Sequence, residues 1–276
     1  MTRYIELLDH GYCELIEAWG SDERIVESAR MSTGKGFLGW GPHFVCRACG
    51  CKWRNNHDET ISLYDEHQVS CRECEGDTGA CSDKMAGDEK LLRYLYEHKH
   101  STPFEMAGLT IEVKAPIFVF RQWHRHRTQS YNEMSARYTP LPDENYRPNV
   151  ERCIVVPGGN KQARGVNDLV PTHEQVIDWL ENYVDPAYEA AERAYTRGLE
   201  IGIPKELARI PTSVARYSAM RASANLRNWL AFLTLRMDAH AQYEIRVYAE
   251  AVGAFIRREF PRTFDLFAEG NGYAGH

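Results

Sequence analysis

The spacing of apolar positions changes several times along the chain, and each change predicts an element. Residues 4–30 read as a short strand, a glycine-containing turn and then a helix, DERIVESAR, with Ser21 and Asp22 as caps. DEKLLRYLYEHKH (88–100) sets Leu91, Leu92, Leu95 and Tyr96 on one face of a helix that stops at Ser101-Thr102-Pro103. MAGLTIEVKA (106–115) alternates instead, with Leu109, Ile111 and Val113 on one side, as a half-buried strand does. Pro116 opens the next helix, PIFVFRQW, because its missing N–H would be unpaired in a first turn anyway. From about residue 171 the pattern is helical almost without a break, through PTHEQVIDWLENYVDPAYEAAERAYTRGLEIG, PKELARI and SANLRNWLAFLTLRMDAHAQYEIRVYAEAVGAFIRREF. SANLRNWLAFLTLR is apolar nearly all round, which predicts a buried helix. The fold class that follows is α+β, an antiparallel sheet with a large helical portion, spanning residues 1–276.

Residues 37–86 differ in kind. They are rich in Cys, Gly, Asn, Asp and His, lack helical periodicity, and read as an inserted module. Six of the eight cysteines fall between 46 and 81. Cys46-Arg-Ala-Cys49 and Cys71-Arg-Glu-Cys74 form two CxxC pairs separated by 21 residues. Two thiolates three apart grip one tetrahedral Zn²⁺, and two such knuckles complete a four-cysteine site, so the module reads as zinc-ribbon-like. Gly50 suits the tight knuckle turn. Disulfides or incidental thiols are the alternative, and Cys51, Cys81, His57 and His67 are further candidate ligands. A closed site of this kind is structural, since it leaves no open coordination position.

The whole chain is 43% hydrophobic and 26% charged with a formal charge of −6. That composition is ordinary for a globular protein and argues against bulk attraction to nucleic acid. The N-terminus has no apolar signal core, and the longest uncharged apolar stretch, NWLAFLTL, is too short to span a bilayer. A cytoplasmic protein without a membrane partner is expected, and in that reducing compartment clustered cysteines favour metal over disulfides.

Positive charge is instead concentrated locally. Residues 121–138 hold Arg121, Arg125, Arg127 and Arg137 against one acid, Glu133. Guanidinium forks suit phosphate oxygens, while Ser130, Asn132 and Ser135 add neutral hydrogen-bonding groups. A salt-bridged surface is the alternative, but the imbalance of charge calls for an outside anion. Arg236, in the apolar helix, needs a partner too, since a buried unpaired guanidinium costs several kcal/mol. Glu244 is one candidate, and a ligand is another; His240 is expected on the same helical face as Arg236.

RHRTQSYNEMSARY (125–138) resembles the signature of the flavin-dependent thymidylate synthases, Arg125-His126-Arg127 followed by Ser135. ELLDHG (6–11), ARMSTGKG (29–36), HKHSTPFE (98–105), LARI (207–210), NLRNWLAFLTLR (225–236) and DAHAQYEIR (238–246) resemble other elements of that family, in order. The likeness covers most of the chain outside 37–86 and implies that family's fold. It implies FAD held by Arg125, His126, Arg127, Asn225, Leu226 and Arg227, bordered by Ser32, Thr102 and Glu133. It implies dUMP held by Gln122, Arg125, Glu133, Met134, Ser135, Ala136, Arg137 and Arg209. Arg236 would face the uracil and favour its ionisation, and His100 would lie near the flavin and the folate entrance. Ala231 stands where relatives often carry a polar flavin contact.

The resemblance further implies reductive methylation of dUMP to dTMP by a homotetramer, with methylenetetrahydrofolate as carbon donor and NADPH reducing the FAD. No enzyme nucleophile would be needed, and none is evident: Cys13 and Cys153 have no adjacent base and no Pro-Cys occurs. Within the same chemistry, UMP or dCMP is the alternative substrate. A zinc-ribbon nucleic-acid-binding protein is the alternative of a different class.

Overall fold

The computed structural model describes residues 3–41, 43–46, 49–50, 52–53, 82–85, 87–154 and 169–273. The chain divides into two units, residues 1–19 with 108–259, and residues 20–107 with 260–276.

The first unit begins with β1 (Tyr4–Leu7) and β2 (Gly11–Trp19), an antiparallel hairpin. The turn-and-helix reading of this region places no strand at 11–19. Its alternation is nonetheless that of a strand, with Gly11, Cys13 and Leu15 buried and Tyr12, Glu14 and Ile16 less so. Gly11 is required by a close approach: a Cβ there would collide with the Tyr248 hydroxyl, which donates to the Lys114 carbonyl at 2.8 Å.

In the second unit, α1 (Asp22–Arg30) starts at Ser21, whose hydroxyl accepts from the Arg24 amide at 3.3 Å. A 3₁₀ turn, Met31–Thr33, follows it. Within residues 37–86 the described strands are β3 (His43–Cys46), β4 (Lys52–Trp53) and β5 (Ser82–Met85), an antiparallel sheet ordered β4-β3-β5. α2 (Glu89–Glu97) buries Leu92 and Leu95, and a second 3₁₀ turn spans Thr102–Met106. Buried Asp88 accepts from the Leu38 and Gly39 amides and from Arg30 Nε at 3.0 Å, which pins the chain where it enters the cysteine-rich stretch.

The first unit resumes with β6 (Gly108–Pro116), which passes directly into α3 (Ile117–Trp123) through Pro116, as the sequence predicts. β7 (Ser130–Glu133) and the short α4 (Val150–Cys153) follow. Next come α5 (His173–Trp179), a π turn at Leu180–Val184, α6 (Asp185–Glu200) and α7 (Lys205–Ala208). β8 (Tyr217–Asn225), α8 (Leu226–Arg236) and α9 (Tyr243–Glu259) complete it. The five-stranded sheet is ordered β1-β2-β6-β8-β7 and is antiparallel throughout.

β8 departs from the helical reading of the C-terminal half. YSAMRASAN is mostly small and polar, with weak strand propensity, yet it lies between β6 and β7 and pairs along its whole length with β6. Sheet context outweighs intrinsic preference there. α8 and α9 cover the sheet with Trp229, Phe232, Tyr248, Val252 and Ile256, all buried. Trp229 donates to the Leu109 carbonyl at 2.9 Å, so even its polar edge is satisfied.

α10 (Pro261–Asn271) belongs to the second unit. Its first turn is capped from a distance: Asp22 accepts from the Arg262 amide at 2.8 Å, the Thr263 amide at 3.2 Å and the Thr263 hydroxyl at 2.6 Å. Asp22 therefore serves α10, while Ser21 caps α1.

Candidate active site

α3 brings the basic segment out of the sheet. Val119, Phe120 and Trp123 face inward, leaving Arg121 exposed and Gln122 half-buried. The helix ends at His124, and His126 turns back to donate its amide to the Trp123 carbonyl at 2.9 Å. Residues 125–129 thus form a short loop between α3 and the edge strand β7. Gln129, buried inside it, accepts from Trp123 Nε1 at 3.0 Å, and the Tyr131 hydroxyl donates to the His126 carbonyl at 2.6 Å. From the opposite side, the Asn228 side-chain amide donates to the Thr128 carbonyl at 3.0 Å. The loop is therefore held to α8 and β7 by its own backbone, with its arginine side chains left outward.

Arg125 and Arg127 are exposed and have no acidic partner among the described residues. Arg137 differs, since Glu206 lies 3.2 Å away on α7. Both of those side chains are about half exposed, so this surface pair contributes little and can yield to an anionic ligand. Lys205 donates to the Tyr138 carbonyl at 2.7 Å, which ties the Ser135–Tyr138 turn to α7. Arg209, the residue after α7, is exposed. In that turn the Ser135 hydroxyl accepts from the Arg137 amide at 3.3 Å, Ala136 is buried and Met134 is half-buried.

Arg236 closes α8. Its Nε donates to His126 Nε2 at 2.9 Å and its Nη2 to the Gln122 carbonyl at 3.0 Å. The Phe232 ring, one turn earlier, sits edge-on to the His126 imidazole at 4.9 Å. Burial, and then the Arg236 charge, push the His126 pKa down to about 4, so at neutral pH the ring is an uncharged acceptor. The guanidinium keeps its whole charge because both partners are neutral. The Glu244 alternative does not form: that carboxylate is buried against Arg152, at 2.7 Å. His240 lies beyond the end of α8 and its ring faces Asp238 at 2.9 Å, so the expected shared face with Arg236 is absent. The helix simply ends too early.

Asn225 caps α8 by accepting from the Asn228 amide at 3.0 Å; Leu226 is buried and Arg227 exposed. Ala231 is exposed on the same helix. Glu133, exposed, is the last residue of β7. Gln122, Arg125–Arg127, Glu133–Arg137, Arg209, Asn225–Arg227 and Arg236 all belong to one unit, where Arg236 meets His126 and Gln122 directly. Ser32, His100 and Thr102 belong to the other unit, where all three are exposed; Ser32 donates to the Ala29 carbonyl at 3.1 Å and His100 lies beside Tyr94.

Of the cysteine quartet, Cys46 is buried at the end of β3 and Cys49 exposed; Cys71 and Cys74 lie outside the described residues, as do Cys51, Cys81, His57 and His67. Gly50 has φ +70° and donates its amide to the Cys46 carbonyl at 2.9 Å, the tight turn a knuckle requires. Among the described residues, no group of three or more His, Cys, Asp or Glu is arranged around a metal position.

Sequence reasoning missed Asn228, Gln129 and Gln242. Asn228 carried a usable signal, a polar residue one turn into an otherwise apolar helix. Gln242, whose side chain accepts from Gln122 and donates to Glu244 at 2.8 Å, carried none.

Comparison with known proteins places this geometry. Residues 14–262 match the model of the thymidylate synthase complementing protein family. A flavin-dependent thymidylate synthase of Wolbachia pipientis is 34% identical over 264 residues, covering 96% of this chain and 76% of that one. One from Thermosipho melanesiensis is also 34% identical, covering 96% and 94%. Among solved structures, a UMP/dUMP methylase, PolB from Streptomyces cacaoi, superposes with a TM-score of 0.66 at 29% identity when bound to 5-Br dUMP. Bound to 5-Br UMP it gives 0.67 at 28%; either way 96–97% of both chains is covered. The chain belongs to the family of flavin-dependent thymidylate synthases.

Proposed function

We propose that this chain converts dUMP to dTMP by reductive methylation, with methylenetetrahydrofolate as carbon donor, FAD as the hydride-transferring cofactor and NADPH as reductant. The observation that carries the reading is Arg236, a half-buried guanidinium held by two neutral acceptors and, among the described residues, by no carboxylate. Its uncompensated charge favours the anion of an adjacent acid, which for uracil is the ring N–H at position 3. An ionised pyrimidine is richer in electrons at C5, the carbon that must attack the one-carbon unit.

The anionic ends of the ligands fit the loop after α3. Arg125 and Arg127 offer forked donors with no acidic partner among the described residues, which suits phosphate groups of FAD and of the nucleotide. His126, Asn225, Leu226 and Arg227 would complete the flavin contacts with Glu133, Ser32 and Thr102. Gln122, Glu133 to Arg137 and Arg209 would hold dUMP. His100 would border the folate. When bound, reduced FAD supplies the hydride that completes the methyl group. The chain's own share is positioning and electrostatics. Burial raises the thiol pKa of both Cys13 and Cys153, which supports a reaction that uses no enzyme thiolate.

Three further parts belong to the proposal. Residues 37–86 form a zinc-ribbon-like insert on a catalytic domain spanning 1–276, with Cys46, Cys49, Cys71 and Cys74 holding a structural Zn²⁺; the three-stranded sheet and the Gly50 turn support it. The chain works as a homotetramer, for which the exposed Leu207, Ile210 and Val214 beside Arg209 are apolar surface suited to a second copy. It works in the cytoplasm; among the described residues no helix is long and apolar enough to cross a membrane.

A second reading, methylation of UMP, is favoured by the structural neighbour, which is described as a UMP/dUMP methylase and is seen with both brominated nucleotides. Incubating the purified protein with dUMP, UMP and dCMP separately, each with methylenetetrahydrofolate, FAD and NADPH, decides between them. Mass spectrometry should show dUMP gaining one methyl group. Turnover of UMP or dCMP with dUMP unchanged would overturn the substrate. A colourless protein that retains no FAD would overturn the cofactor.

A further inference from the structure

Asp88 joins the two ends of one loop with the two oxygens of its carboxylate. Oδ1 accepts from Arg30 Nε at 3.0 Å and from Arg30 Nη2. Oδ2 accepts from the Leu38 amide at 2.6 Å and the Gly39 amide at 3.1 Å. Asp88 is fully buried, and its own amide donates to the Gly39 carbonyl at 2.8 Å. The chain from Arg30 to Gly39 is thus a loop closed at both ends on a single side chain.

Little within the loop holds it in place. Residues 31–36 are exposed at every position and include Gly34 and Gly36, so ordering them costs conformational entropy. Ser32, Thr33 and Lys35 bond back to the end of α1. The Ser32 hydroxyl donates to the Ala29 carbonyl at 3.1 Å, while the Thr33 hydroxyl at 3.0 Å and the Lys35 amide at 3.3 Å share the Arg30 carbonyl. Their position therefore follows that of Arg30, whose side chain is set by Asp88. Past the clamp, Phe37 packs edge-on against Trp40 at 4.8 Å, and Trp40 lies under the Arg262 guanidinium at 4.4 Å.

Asp88 also opens α2, since its carbonyl accepts from the Leu92 amide at 3.0 Å. Within the same unit, α2 leads to His100 and Thr102. One carboxylate thus connects the loop that carries Ser32 to the helix that leads to the other two residues assigned beside the flavin and the folate. The clamp needs a carboxylate and not merely a polar group of that size. Both carboxylate oxygens accept, whereas an amide accepts at one end only and turns an NH₂ toward donors at the other.

We propose that Asp88 is a positioning residue for the flavin, holding the Ser32 loop to α2 from both of the loop's ends. The proposal rests on the flavin assignments above and deepens them by adding a residue that acts on the cofactor through Ser32.

The test is a double-mutant cycle on FAD affinity, read by fluorescence titration of the full-length chain stripped of flavin. Ser32→Ala should weaken FAD about fivefold, the worth of one hydrogen bond. Asp88→Asn, which can satisfy only one end of the loop, should weaken FAD by about the same factor. The double variant should be no weaker than either single one, because both changes remove the same contact. Thermal melts establish that each variant folds. Should Asp88→Asn not fold, Arg30→Met, which opens the clamp from the α1 side, takes its place in the cycle with the same expected values. Equal losses with and without Ser32→Ala would mark the clamp as a general structural element and overturn the positioning role, leaving the flavin reading intact. Wild-type affinity in the clamp variant, or in Ser32→Ala, would overturn it as well. Failure of the wild-type chain to bind FAD would overturn the flavin reading itself, and the proposal with it.

Discussion

Arg236 donates from Nε to Nε2 of His126 at 2.9 Å, across 110 positions of sequence. The guanidinium is the donor and the neutral imidazole the acceptor, so the pair carries one charge. That charge sits where α8 ends against the loop after α3.

The His126 ring should accordingly titrate near pH 4, against about 6.5 for an ordinary histidine. Because the folded pKa is depressed, the unfolded chain binds the extra proton more readily, so the folded state loses stability as pH falls from 6.5 through 4. Above 6.5 this term is flat. Proton NMR of the imidazole through an acid titration checks the value, and Arg236→Leu should move it upward.

Removing the Asn228 side chain should loosen the basic loop without unfolding the chain. Asn228→Ala deletes the bond to the Thr128 carbonyl, worth roughly 1 kcal/mol, or about fivefold in affinity. FAD release measured by fluorescence should show that weakening while the melting temperature barely moves.

The capping of α10 by Asp22 should matter more to stability than to activity per folded molecule. Asp22→Ala leaves the Arg262 and Thr263 amides and the Thr263 hydroxyl without their acceptor, and Thr263 is fully buried. A loss of about 2 kcal/mol is expected, measured by chemical denaturation.

Zinc content should follow the CxxC cysteines. Metal analysis of a Cys46→Ser/Cys71→Ser variant should show the bound zinc lost, and unchanged content would refute the knuckles.

How much of this was legible beforehand depends on the range of the interaction concerned. The passage from β6 to α3 through Pro116 was, because alternation, a proline and an apolar run are local signals. So was the excess of arginine over acid in 121–138. β8 was not, since YSAMRASAN is a strand only because β6 and β7 flank it. Asp22 reads as part of the cap of its own helix, yet its partners are Arg262 and Thr263. The partner of Arg236 was also out of reach: Glu244, nearby in sequence, is taken by Arg152, while His126 is brought in by the fold. Local pattern gave the elements and the chemistry on offer; pairing across the sheet decided which groups met.

On the proposed mechanism, the charge of Arg236, held by two neutral acceptors, activates a pyrimidine nucleotide for methylation. The most direct test is mass spectrometry of dUMP after incubation with methylenetetrahydrofolate, FAD and NADPH, using wild type and Arg236→Ala side by side. Wild type should add one methyl group and the variant none, although the variant still retains flavin. Full turnover by Arg236→Ala, or unchanged dUMP with wild type, would contradict it.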